Sequence, residues 1–108
     1  MLWLMRNPVK GRSIEYADNR ISLFAAQYGK CAVTGLPMEV YDIHCHHKMP
    51  LSKGGTDAYE NLILVSKAIH VIIHASSEIT IREYLNPLQL DDSKLAKLNK
   101  LRTMAEML

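Results

Sequence analysis

Residues 45–74 read "CHHKMPLSKGGTDAYENLILVSKAIHVIIH", and this stretch decides the fold. The segment leading into it, "VYDIHCH", is rich in β-forming residues and reads as a short strand. "PLSKGGTDAYEN" is a polar loop with the consecutive glycines Gly54 and Gly55. "LILVS" reads as a second short strand, and the loop between the two predicts an antiparallel pair. "SKAIHVIIHAS" then reads as a helix with Ser66 as its N-cap. The order is strand, loop, strand, helix, with histidines at the end of the first strand and on the helix.

His70 and His74 are four residues apart, which on a helix puts both rings on one face, one turn apart. Two imidazoles so placed hold one divalent metal between them, and a third ligand must come from elsewhere. His46, at the end of a strand that folds back over the helix, is the natural third ligand. Three histidines leave positions open for water or substrate, which separates a catalytic site from a closed structural one. An H-x-x-x-H pair alone arises by chance on many helices. The strand-end His-His, the Gly-Gly loop and the second strand, in this order, are what give it weight. Adjacent residues of a regular strand point to opposite faces, so His46 and His47 are expected to share a site only if the strand has ended or twisted there. Pro50 marks that end.

Outward from this centre, residues 1–12 read as irregular, broken by Pro8 and Gly11. "ADNRISLFAAQYGK" predicts a helix over about 18–28, capped by Asp18 and stopped at Gly29. Its expected core face is Ile21, Phe24, Ala25 and Tyr28. On the other side, helices are expected over about 77–106. "SEITIREYLNP" gives a short one ended before Pro87. "LDDSKLAKLNKLRTMAEML" gives an amphipathic one capped by Asp91 or Asp92, with Leu95, Leu98, Leu101, Met104 and Ala105 on its apolar face. The expected class is α+β: a small ββα core over about 31–75, packed by an N-terminal helix and C-terminal helices, in one domain spanning 1–108.

Composition is that of an ordinary globular protein, and no apolar run approaches the ~20 residues a bilayer span needs. The apolar-then-basic start lacks the order of a secretory signal, so a cytoplasmic protein with no membrane partner is expected. Cys31 and Cys45 are expected as thiols rather than a disulfide, and they are too few for a four-cysteine zinc knot. The net charge of +2 decides little, but its placement is uneven. Arg6, Lys10 and Arg12 cluster near the start, Lys48, Lys53 and Lys67 flank the histidines, and Lys94, Lys97, Lys100 and Arg102 lie near the end. Such clusters either neutralise nucleic-acid phosphates or are simply solvated surface.

The stretch "CHHKMPLSKGGTDAYENLILVSKAIHVIIHA" resembles the HNH endonuclease family, whose nuclease core is a ββα-metal fold. A longer resemblance joins "NPVKGRSIEYADNRISLFAAQYGKCAVTG" and the tail "LAKLNKLRTMAE" to the C-terminal endonuclease region of bacterial group II intron-encoded reverse transcriptase/maturases. That likeness implies the nuclease portion of such a protein, with intron RNA and reverse transcriptase as family partners. It also implies a role for each matching residue. His46, His70 and His74 correspond to ligands of one divalent metal ion, His47 to the general base, and Asn61 to the residue that orients the base. The activity implied is hydrolysis of a DNA phosphodiester, giving 5′-phosphate and 3′-hydroxyl ends. Many relatives also carry two cysteine pairs for a structural zinc. Cys31 has no second cysteine at that spacing, so a separate structural zinc is not expected here.

The chemistry agrees with those roles. An imidazole with an ordinary pKa of ~6.5 takes a proton from water near neutral pH, provided its other nitrogen has a fixed partner. Imidazole ligands suit zinc, nickel and manganese, while abundance favours magnesium. Lys48 and Lys53 are candidate phosphate contacts, and Trp3 and Tyr84 are candidates for base stacking or for plain apolar roles. His44 is either a fourth ligand, a phosphate contact or a plain strand histidine, and Cys45 either a ligand or an apolar position on the opposite strand face. The competing function is a module in which the metal holds the fold and binds nucleic acid without cutting. An intron-RNA interaction domain is a third reading. His47 discriminates, since a pure binder needs no base there.

Overall fold

The computed structural model describes residues 13–105. The expected irregular start, the first basic cluster, Trp3 and the last residue of the expected C-terminal helix lie outside them. The described chain is α+β: four helices around a two-stranded antiparallel sheet. Helix α1 is Ile14–Ala26, strand β1 is Ile43–His47, strand β2 is Leu62–Ser66, and helix α2 is Lys67–His74. Helices α3 (Glu78–Leu85) and α4 (Asp92–Met104) complete it. No helix among the described residues is long and apolar enough to cross a membrane.

All four helix starts carry side-chain caps, that of α3 being Ser77, whose hydroxyl accepts from the Thr80 amide. Ser66 accepts a hydrogen bond from the Ile69 amide at the start of α2, and Asp91 from the Lys94 amide at the start of α4. Ser13 does the same for the Tyr16 amide. This moves the start of α1 to Ile14, ahead of the Asp18 cap that the sequence suggests. The buried stripe moves with it. Tyr16, Arg20 and Leu23, at helical spacing, face inward. Tyr28, expected on the core face, instead lies beyond the helix end with φ 54° and is 86% exposed. Val40–Asp42, expected to begin the first strand, forms a short helical turn, and its Asp42 carboxylate accepts from the Lys67 amide.

The register pairs His44 with Val65, Cys45 with Leu64, His46 with Ile63 and His47 with Leu62. Alternation then divides the sheet between two small cores. Leu62 and Leu64 pack with Tyr16 and Leu23 of α1. Val65 packs with Ile69, Ile72 and Ile73 of α2 and with Leu98 and Leu101 of α4, beside Cys31 and Val33. Apolar layers on both faces explain why "LILVS" is continuously apolar rather than alternating. The outer edge of β2 is also engaged: the Gln27 amide accepts from the Leu64 N–H and donates to the Leu64 carbonyl, at 3.0 and 2.9 Å.

The loop between the strands is fastened from inside. The Asn61 amide accepts from the Met49 N–H at 2.9 Å and donates to the Met49 and Thr56 carbonyls at 3.1 and 2.8 Å. Gly55 sits where a Cβ would lie 1.9 Å from the Met49 carbonyl oxygen, so only glycine lets the loop close this tightly.

Candidate metal centre and adjoining histidine

Alternation sends His44 and His46 to the α2 face of the sheet. There His46 meets His70 and His74, one turn apart on α2. The three rings lie 4.9–5.4 Å from one another, centroid to centroid. One ring nitrogen of each lies within 4.8 Å of the others, close enough for the three to hold one metal ion between them. Among the described residues, no other group of histidine, cysteine or carboxylate side chains gathers in this way, and His44, Cys31 and Cys45 are not part of it.

Two observations show that the three side chains suit a cation. His46 is buried, and its Nε2 has no hydrogen-bond partner among the described residues. A buried polar atom left in this state costs roughly 1–3 kcal/mol, and a cation at that nitrogen offsets the cost. Burial, with the neighbouring His70, His74 and His47 adding to it, lowers the pKa of His46 to about 3. Burial, then His74 and His44, lowers His70 to about 4, and burial also lowers His74. All three rings are therefore neutral at pH 7, the form that ligates a metal.

His44 does not join the three. Its Nδ1 lies 2.9 Å from the Nδ1 of His70, a hydrogen bond in which one ring donates and the other accepts. When His70 is the donor, its remaining lone pair is on Nε2.

His47 faces the other way, towards α1. Its ring stacks on Tyr16 at 5.7 Å with 15° between planes, and the Arg20 guanidinium lies over the same tyrosine at 6.0 Å. Its Nε2 is 2.8 Å from the Asp57 carboxylate. Asp57 is itself held by the Ser13 hydroxyl on its second oxygen at 2.7 Å and by the Asn19 amide on its carbonyl at 2.9 Å. The strand does not end before His47, as its pairing with Leu62 shows. His46 and His47 nonetheless line one cavity of about 400 Å³, together with His70, His74, Tyr16 and Cys45. The cavity takes walls from both faces of β1, so it wraps around the strand edge away from β2.

Asn61 makes no hydrogen bond to His47, because its amide is engaged by the loop backbone. Its carbonyl accepts from the Lys48 amide at 2.7 Å, which fixes the chain just after His47. The carboxylate at His47 is Asp57, a residue that sequence reasoning left inside an undifferentiated polar loop. Its spacing from His47 has no period, so only the folded loop brings the two together. Lys48 is half-buried and Lys53 exposed, and neither lines the histidine cavity. Cys31 lies in the core, its sulfur accepting from the Ser66 amide at 3.4 Å. Cys45 is half-buried against the α1 core, on the strand face expected for it.

No curated protein and no solved structure matches the chain. Residues 29–76, the stretch that holds both strands, the loop and the helix carrying His70 and His74, match the family model of the HNH endonucleases and are similar to that family.

Proposed function

We propose that the chain is a metal-dependent HNH endonuclease that hydrolyses a phosphodiester bond of DNA. His46, His70 and His74 hold one divalent cation, His47 is the general base, and Asp57 fixes the base. The observation that carries this reading is the fourth imidazole: His47 stands in the cavity of the three ligands, outside the ligand group, and is held by a carboxylate. A site that only folded around metal has no use for a carboxylate-held imidazole at its rim.

The cation, when bound, supplies positive charge to a phosphate oxygen and to the leaving 3′ oxygen. The protein does the rest. With the His47 Nε2–H donated to Asp57, the basic lone pair of the ring is on Nδ1. The ring takes a proton from water as the water oxygen bonds to phosphorus. The bond from phosphorus to the 3′ oxygen breaks, and that oxygen takes up a solvent proton. The products are a 5′-phosphate and a 3′-hydroxyl. Tyr16 limits rotation of the imidazole, and Asn61 acts one step away, by holding the backbone on either side of the loop. Supported by the sequence likeness of residues 7–35 and 95–106, the finer setting is the nicking domain of a group II intron-encoded protein, whose nick leaves a 3′ end for primed reverse transcription.

The test is nicking of supercoiled plasmid with magnesium, manganese, zinc or nickel, beside His47→Ala. Nicking by the parent and a fall of at least ~100-fold in the variant is the expected result. Equal activity in both removes His47 from the chemistry. Cation binding without cleavage under every metal selects the silent nucleic-acid-binding module instead.

A further inference from the structure

A second cavity, of about 410 Å³, lies where α4 meets the sheet and loop. Its walls include Ile63 of β2 and Leu101 of α4, and its rim carries Lys48, Lys97 and Lys100 with Glu60. Lys48 immediately follows His47, whereas Lys97 and Lys100 lie one helical turn apart on α4, outside the stretch that matches the HNH family. The fold thus brings three ammonium groups from two distant segments to one groove. None of the three side chains has a hydrogen-bond or ion-pair partner among the described residues. Three lysines against one glutamate leave two positive charges at this groove, which equals the net charge of the whole chain.

We propose that this groove binds the sugar-phosphate backbone of the DNA strand on one side of the cut, with Lys48, Lys97 and Lys100 on successive phosphates. The proposal rests on the nuclease reading and adds a substrate-binding surface to it. Charge selects a polyanion, and position selects nucleic acid. Lys48 joins the groove to the histidine site through a single peptide bond, so a strand whose phosphate lies at His47 continues past Lys48 towards α4. Ammonium groups on flexible stems contact phosphates as point charges and read no sequence, so the groove contributes affinity and salt dependence rather than site choice.

The experiment uses the full chain and a short DNA duplex in EDTA, with binding read by fluorescence anisotropy across a salt series. In Lys97→Gln/Lys100→Gln, affinity is expected to fall ~10-fold or more, and the slope of log K against log salt to shrink by about two. Both positions are exposed, so the fold is retained. Lys94→Gln, on the same helix but outside the groove, is the control. Unchanged affinity and slope in the double variant overturn the proposal, as does an equal loss from the control. A parent that binds DNA in this lysine-dependent way but never nicks removes the nuclease reading and leaves the groove. A parent that nicks, with binding indifferent to both lysines, removes the groove alone. Displacement from the groove by an acidic peptide but not by DNA also overturns it.

Discussion

His44 shows how one side chain sets the chemistry of another. When its ring accepts from the Nδ1–H of His70, the lone pair left for a cation is on the His70 Nε2. His44→Ala is therefore expected to weaken divalent-metal affinity ~10-fold, measured by calorimetric titration, with little change in the fold. An unchanged affinity would mean that the tautomer of His70 is set by the cation alone. Legibility at this scale was uneven. His46, His70 and His74 were readable because helical and strand periods place them, and His47 because it adjoins His46. The His44 contact was open among three readings, since strand alternation gives its face but not its partner. Asp57 was not readable at all, because a polar loop of this kind has no period to betray which of its side chains turns inward.

At the scale of elements, α2 is the piece that must not move. Its first turn is held by Ser66 and Asp42, the latter reaching from just ahead of β1. Its last turn is held by Arg102 of α4, a buried side chain that donates to the Ile72 and Ala75 carbonyls. A cation at the C-terminal end of a helix satisfies carbonyls that have no partner within it. Arg102→Met keeps the stem and removes the donors. It is expected to cost on the order of 2–3 kcal/mol in urea unfolding and to weaken metal binding, since His74 sits in the turn that is released. Loss of stability with metal affinity intact would confine Arg102 to packing. The sequence placed Arg102 in a basic cluster, and its burial was invisible there because a charged residue on the apolar side of a helix looks like an error of pattern. The same cause shifted the face of α1, where Arg20 is buried beside Tyr16 and Leu23. By contrast both strands, their pairing, α2 and its cap were legible, because short apolar runs and Ser66 leave few alternatives.

For the molecule as a whole, the burial of His46 and the partial burial of His70 couple folding to pH. In the unfolded chain these groups titrate near 6.5; in the fold His46 does so near 3 and His70 near 4. Between those values the unfolded state binds more protons, so lowering the pH favours unfolding. The cation-free protein is expected to be most stable above about pH 6.5 and to lose on the order of 2 kcal/mol for each of His46 and His70, about 4 kcal/mol together, by pH 5. Thermal melts in EDTA across this range check the direction, and His46→Leu should flatten the curve. A melt independent of pH would mean that His46 and His70 are not withdrawn from solvent in the fold.

The matching stretch, residues 29–76, is flanked by the parts that hold it in shape. Ser13, Tyr16 and Asn19 precede it and grip Asp57 and His47. Arg102 follows it and closes α2. The recognisable motif is thus an arch without its abutments. An excised 29–76 peptide is expected to retain the ligands yet lack a settled orientation for the imidazole at position 47, and so to capture metal weakly and cut nothing. In this protein the smallest piece expected to keep the site in shape is larger than the stretch that matches the family model.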